Sequence, residues 1–348
     1  MNPLDLVIGP TELKDEDITR LELSDDGQPV APVVFVDLDQ WGPTDPQPAL
    51  PGQPHRVLVG VATKPVPDRL APLLPELAFT LVPSGQDGAG RERVGVEDPW
   101  TTARQISAYA RAAPRAAVAL AGLLRATERL PVAEGLTAES LAYSMLLAGP
   151  EFAAWRARTP RKPVPEYPDP VLMTRDGSLL RVTLNRPRRH NAFSRDVRDA
   201  VVDALTLARL DPTVTKVELS GNGPSFCSGG DLDEFGTTPD VATAHLVRVR
   251  QSAGHAVHRA GVPVHVRAHG ACIGAGIEVP AFADRIEAAP DAYFQLPELR
   301  MGLVPGAGGT VSVTRRIGRW RTAYLVLSGV RVDARTALAW GLVDSLTA

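Results

Sequence analysis

The sequence predicts a layered α/β protein in several unequal parts. Three observations carry this. From residue 171 onward, strand-like apolar runs alternate with amphipathic helical stretches, the pattern of repeated β–α units. Residues 31–83 hold short Val-rich runs separated by Pro- and Gly-rich connections. Between these regions, residues 98–158 are rich in Ala and Leu at helical spacing, and a proline-rich linker follows at 159–170. The predicted divisions are therefore a small β-rich α/β piece at 1–97, a helical segment at 98–158, the linker at 159–170, and a main α/β unit at 171–348.

Taken in order, residues 1–30 read as a polar lead-in with weak strand character. Residues 33–38 and 56–62 read as strands, with a Pro/Gly-rich loop at 41–54 between them. A short helix is predicted at 68–77, a third strand at 79–82, and a flexible stretch at 84–93. In the helical segment the apolar stripe runs through Ile106, Tyr109, Ala110, Ala113, Ala117, Leu120, Leu123 and Leu124. It continues through Leu136, Leu141, Met145 and Leu146, with Phe152 and Trp155 sharing a face. Gly149 and Pro150 mark a helix end.

In the main unit, residues 179–184 alternate as a strand. A helix spans 194–210, with Ser194 as its cap and Asp196 in the first turn. A strand at 214–220 leads into a Gly/Ser turn at 221–230, followed by a helix at 241–260 and a strand at 262–269. A further helix begins near Gly276, where Pro280 is compatible with a first turn. Strands are predicted at 285–289 and 293–294.

Composition narrows the functional classes. The 348 residues suffice for roughly two domains of ~150 residues each. Hydrophobic residues at 44% and charged residues at 22% are those of a soluble globular chain. A net charge of -3 provides no field that would draw the whole protein to nucleic acid or an acidic membrane. Two cysteines make no disulfide framework, so a reducing cytoplasm is expected. No apolar run approaches the ~20 residues a membrane helix needs, and the acidic N-terminus lacks the basic and apolar blocks of a signal peptide.

The chemistry concentrates in two glutamates, Glu278 and Glu298, each beside a glycine-rich turn. Two carboxyls held near one another divide acid and base roles, because burial and like charge push their pKa values apart. Exposed backbone N–H groups beside them would stabilise a developing oxyanion. Other candidates are weaker. His255 and His258 sit three apart on a predicted helix, but with no accompanying Cys or carboxylate cluster they read as an exposed face rather than metal ligands. Cys227 has no evident His partner and reads as a small buried residue. Gly274-Ala275-Gly276 is only part of a dinucleotide-binding loop.

Four segments together resemble the crotonase family, which includes the enoyl-CoA hydratases and isomerases. They are Leu184-Asn185-Arg186-Pro187-Arg188-Arg189-His190-Asn191-Ala192, Ser225-Phe226-Cys227-Ser228-Gly229-Gly230-Asp231-Leu232, Gly274-Ala275-Gly276-Ile277-Glu278, and the stretch from Pro297-Glu298-Leu299 to Gly306-Ala307-Gly308-Gly309. The resemblance covers about residues 171–346. It implies the layered ββα spiral core of the crotonase fold. It places the two oxyanion-hole amides at Gly230 and Ala275 and the catalytic carboxyls at Glu278 and Glu298. Contacts to coenzyme A fall at Arg188, Arg189, His190, Asp231, Leu232 and Asp233, and Arg suits phosphate through its planar donor fork.

The implied activity is hydration of a 2-enoyl-CoA, or the reverse dehydration, with no cofactor beyond the coenzyme A carried by the substrate. Isomerisation and other enolate chemistry (decarboxylation, thioester hydrolysis, cofactor-free oxygenation) remain open, as does a non-catalytic assembly subunit. A homo-oligomer, trimer or dimer of trimers, is also implied. Family members continue beyond the stretch matching Leu342-Val343 with further helices that close the site. Here a helical segment of similar length precedes the core, and the expectation is that residues 98–158 replace those helices, with residues 31–83 a degenerate half of a second core.

Overall fold

The computed structural model describes residues 6–88, 90–163 and 167–347. Its N-terminal part is a five-stranded, all-parallel sheet in the order Leu6–Ile8, Val33–Asp37, Val57–Val61, Phe79–Pro83, Arg93–Val96. The continuous Val/Phe run at 33–36 is what a parallel strand covered on both faces requires. Its alternation sends Val33 and Phe35 into the large core and Val34 and Val36 into a smaller one, closed by Leu13, Leu38, Leu70, Leu73, Leu74 and Leu77.

Two expectations fail in this part. The helix predicted at 68–77 is a pair of 3₁₀ turns, Asp68–Leu70 and Leu74–Glu76, because Pro72 and Pro75 remove the donors an α-helical ladder would use. The stretch read as a flexible connector ends in an edge strand, Arg93–Val96.

Four helices follow: Pro99–Ala112, Pro114–Thr127, Val132–Leu147 and Pro150–Arg158. In the first two the predicted apolar stripe faces the core. In the third the predicted face holds for Leu146, which is buried, and fails for two of its members. Leu141 and Met145 are 55% and 59% exposed, while Gly135, Glu139, Ser140, Tyr143 and Ser144 are buried. This helix turns Gly135, Glu139 and Tyr143 toward the 306–311 stretch, with Tyr143 and Leu146 joining the apolar core.

The main unit holds a six-stranded sheet ordered Ser345–Leu346, Arg285–Ala288, Val264–Ala268, Lys216–Gly221, Leu179–Leu184, Val171–Asp176. All neighbours are parallel except the terminal hairpin, which turns through Gly177 at φ 57°. A second, small sheet joins Ala271–Ile273, Tyr293–Gln295 and Val332–Asp333. The helix predicted at 241–260 is two helices, Val241–Arg250 and Ala253–His258, broken where the Ser252 hydroxyl caps the second by accepting from His255 N at 3.1 Å.

The long Gly309–Ser328 helical segment, kinked at Gly318 (φ 83°), joins the two halves. The helices Pro99–Ala112, Pro114–Thr127 and Val132–Leu147 pack on it, and one apolar cluster runs without interruption from Val33 to Val343. Buried Arg319 ties this helix to the N-terminal part: it donates to the Leu77 carbonyl at 3.1 Å and to the Pro75 carbonyl, and pairs with Glu128 at 3.3 Å.

Candidate active site

Glu278 and Glu298 converge because they leave the same end of the small sheet. Ile273 and Gln295 are register partners on parallel strands, and Gly274 N donates to the Gln295 carbonyl at 2.9 Å. One strand runs on into the short helix Ala275–Glu278, the other into the 3₁₀ turn Glu298–Met301. Gly274 makes the first transition at φ 50°, ψ -121°, a conformation suited to glycine. A Cβ added there would lie 2.8 Å from Glu298 Oε1 and 3.7 Å from Glu278 Oε1, so both carboxyls face one point.

The two backbone donors expected from the sequence lie on abutting turns. Phe193 N donates to the Gly229 carbonyl at 2.7 Å and Asp231 N to the Phe193 carbonyl at 3.1 Å, which leaves the intervening Gly230 N–H unclaimed. Ala275 is the first residue of its helix, where an N–H has no intrahelical acceptor. Among the described residues neither N–H has an acceptor within the chain. The two turns touch: the added Cβ at Gly274 would lie 3.6 Å from Gly229 Cα. They open onto a cavity of about 620 Å³ whose walls include Gly229, Gly230, Ala275, Glu278 and Glu298.

The carboxyls differ in their surroundings. Glu278, 3% exposed, accepts through Oε2 from Ala307 N at 2.8 Å and Gly309 N at 3.0 Å. Burial pushes its pKa up to about 7, against the pull of those amides. Glu298, 6% exposed, has an Oε2 atom with no hydrogen-bond partner. Burial first, and then the charge of Glu278, hold it well above the usual carboxylate range. A third carboxyl, Glu139, is 2% exposed and comes from the Val132–Leu147 helix. It accepts from Gly308 N at 2.7 Å, Thr310 N at 2.9 Å and Thr310 Oγ1 at 2.7 Å. Burial and neighbouring Glu278 raise it to about 8.

The residues expected to meet coenzyme A divide into two groups. Asp231 is fully buried and paired with Arg186 at 2.9 Å and Arg189 at 2.7 Å; Arg189 also pairs with Asp233 at 2.7 Å. This ion cluster fixes the turn that carries Gly230, and Arg189 meets both carboxylates through Nη2. Arg188 is exposed, and His190, at φ 50°, lies 2.9 Å from Ser225 Oγ through Nδ1. The cavity walls include Asp231 and Leu232 but not Arg188, Arg189 or His190. Cys227 is buried in the strand layer, its thiol pushed up to about 12 by burial. His258 packs against the Phe282 ring, and among the described residues no group of three or more His, Cys, Asp or Glu could hold a metal ion.

Sequence reasoning missed Glu139, Tyr143 and Arg248, all at or beside the cavity. The signal for the first two was present: Gly135, Glu139 and Tyr143 recur every four residues and so share one helical face.

Residues 174–348 match the enoyl-CoA hydratase/isomerase family model. The chain belongs to that family. It is thereby an enzyme of the crotonase type, with the crotonase fold, in the acyl-CoA-processing group. It is 31% identical to the 2,3-dehydroadipyl-CoA hydratase of Escherichia coli K12 over 51% of this chain and 68% of that protein. It is 32% identical to the trans-2-decenoyl-(acyl-carrier-protein) isomerase of Streptococcus mutans over 50% of this chain and 67% of that one. The solved enoyl-CoA hydratase of Thermoplasma volcanium GSS1 aligns at 30% identity and a TM-score of 0.48, covering 51% of this chain and 71% of its own. All three similarities span only about half of the present chain.

Proposed function

We propose that the chain adds water across the double bond of a 2-enoyl-CoA, or removes it in reverse. The observation that carries this reading is the convergence of two buried carboxyls and two unclaimed backbone N–H groups on one cavity. In the forward direction the Gly230 and Ala275 amides hold the thioester oxygen as charge develops on it. Glu278, whose charge is supported by two amide donors, takes a proton from water as the water oxygen bonds to the β-carbon. Glu298, kept protonated by its apolar and anionic surroundings, delivers a proton to the α-carbon of the enolate. Water and thioester thus yield the β-hydroxyacyl thioester, and proton exchange between the carboxyls and solvent resets the site.

The test is loss of the conjugated enoyl-thioester absorbance with a panel of enoyl-CoA substrates. Glu278→Gln and Glu298→Gln should each lower kcat by about 10²–10⁴-fold while CoA-thioester binding persists. Product analysis separates hydration from isomerisation. A scaffold would keep its role in both variants, and wild-type protein inert toward every enoyl-CoA would overturn the proposal.

We infer further that residues 98–158 supply the helical cover of the site. Glu139 supports this reading, as do Tyr143, Leu147, Phe152 and Trp155 on the cavity wall. Coenzyme A contacts through Asp231 and Leu232, a cytoplasmic location in which Cys227 and Cys272 stay reduced, and assembly as a trimer or dimer of trimers belong to the same reading. Exposed Leu141 and Met145, beside exposed Leu246 and Val249 of the neighbouring helix, suit such an assembly, which sedimentation would measure.

A further inference from the structure

Among the described residues, one half-buried cation on the cavity wall has no carboxylate within ion-pair distance. Arg248, near the end of the Val241–Arg250 helix, lines the cavity and is half-buried. Its guanidinium carbon lies 4.6 Å from the centre of the Tyr143 ring. Nε donates to Ser140 Oγ at 3.1 Å, and Nη2 to the Ser140 carbonyl at 3.3 Å and to Ser144 Oγ. Ser140, Tyr143 and Ser144 all belong to the Val132–Leu147 helix, so the fork is held in one orientation from a neighbouring element.

Two features of this arrangement call for a ligand. Among the described residues no carboxylate lies within 4 Å of the guanidinium, and Nη1 donates to nothing. Burial lowers the Arg248 pKa against the opposing pull of Tyr143 and Glu139, and Glu139 makes no ion pair with it, its oxygens bonding Gly308 and Thr310 instead. A half-buried cation with no ion-pair partner is costly, and a bound anion lowers that cost. The position is also particular. Tyr143, on which Arg248 stacks, packs directly on Gly306, where an added Cβ would lie 2.4 Å from the ring. Gly306 adjoins Ala307, whose N–H holds Glu278. Arg248 thus stands just behind the loop that supports a reacting carboxyl.

Resting on the acyl-CoA reading above, we propose that this cavity takes an acyl group whose far end carries a carboxylate, and that the free Nη1 of Arg248 receives it. Nη1 still has both of its N–H groups to donate, and a charge-assisted bond of this kind separates charged from methyl-ended chains by about tenfold to a hundredfold. Phosphates of coenzyme A are the other anions such an arginine could meet.

Calorimetry with adipyl-CoA, hexanoyl-CoA and free coenzyme A separates these sources without needing turnover. The wild-type chain should bind adipyl-CoA at least about tenfold more tightly than hexanoyl-CoA. In Arg248→Met that ratio should fall to near one, and in Arg248→Lys it should be partly retained, with free coenzyme A binding equally to all three proteins. Wild type that binds hexanoyl-CoA as tightly as adipyl-CoA overturns the proposal, and this arm needs no variant to fold. Equal weakening of all three ligands in Arg248→Met also overturns it, assigning Arg248 to the phosphates or to helix packing. A preserved preference for adipyl-CoA in protein that hydrates no enoyl-CoA would sink the hydratase reading and keep this one. Failure of both thioesters to bind would sink both.

Discussion

Glu139 and Glu278 divide four consecutive backbone amides between them. Ala307 N and Gly309 N donate to Glu278; Gly308 N and Thr310 N donate to Glu139. The four amides open the Gly309–Ser328 helix, whose N-terminal dipole favours negative charge. Two buried carboxyls from distant parts of the chain therefore grip one turn from opposite sides, and each raises the cost of charge on the other.

Glu139 is for this reason a positioning residue for Glu278. In Glu139→Gln the shape remains, but one acceptor and one potential negative charge are gone. The turn loosens, and kcat should fall by about tenfold with a smaller change in KM. Because Glu139, at about 8, is still protonated while Glu278 ionises near 7, the variant removes no charge at that step, and the acidic limb of the kcat/KM profile should keep its position. An unchanged kcat in folded Glu139→Gln would assign Glu139 to stability alone.

The same carboxyls make stability depend on pH. Folded-state pKa values raised to about 7 for Glu278 and about 8 for Glu139, and raised strongly for Glu298, mean that the native state holds more protons than the unfolded one. Stability is then fully present below the ordinary carboxylate value of about 4.3 and is lost as pH rises through the raised values. Thermal unfolding between about pH 5 and 8 should show Tm falling over this window. Glu298→Gln should raise Tm by about 2–4 °C near pH 8 and change it little near pH 5. A Tm difference between variant and wild type that is the same at both ends would contradict the assignment of Glu298 as a carboxyl destabilised by burial.

What the sequence made legible here follows from how local each feature is. The strand–turn units around Gly230, Ala275, Glu278 and Glu298 are short motifs in which the chemistry and the turn geometry use the same residues. Glu139 was not legible, because its role is fixed by amides some 170 positions away. Its helix even misleads, since Leu141 and Met145 look like the inward face and the polar face is the one buried. Arg189 shows a different non-local effect. An arginine in a loop suggests a phosphate ligand, and the folded chain adds that its Nη2 is already paired with Asp231 and Asp233. The prolines at 72 and 75 carry in the sequence itself the information that breaks the helix predicted at 68–77.

Asp231 supports the Gly230 turn, the proposed oxyanion site, from within. It is buried between Arg186 and Arg189, and Arg186 is itself buried and bonded to the Ala192 carbonyl at 2.6 Å. Asp231→Asn leaves two guanidinium groups without their shared counter-charge, which costs about 3–5 kcal/mol when a buried pair is broken. Denaturant unfolding should show a loss of that size, carried by the midpoint with the slope unchanged. A loss under about 1 kcal/mol would mean that Asp233 alone compensates the cluster.

Gly274 offers the sharpest geometric test of the paired carboxyls. Its φ of 50° already disfavours a side chain, and a methyl group there would sit 2.8 Å from Glu298 Oε1, between the two carboxyls. Gly274→Ala should therefore displace Glu298 and narrow the space where a substrate's reacting carbons must lie. Backbone strain of about 1–3 kcal/mol is expected in the unfolding free energy. The effect on catalysis should be larger, about a hundredfold or more in kcat/KM, because a shift of about 1 Å at a reacting group is sufficient for that. Binding of free coenzyme A provides the control, since the methyl group lies at the acyl end of the proposed site. If catalysis fell only in proportion to stability, the point where Glu278 and Glu298 meet would not be where the reaction occurs.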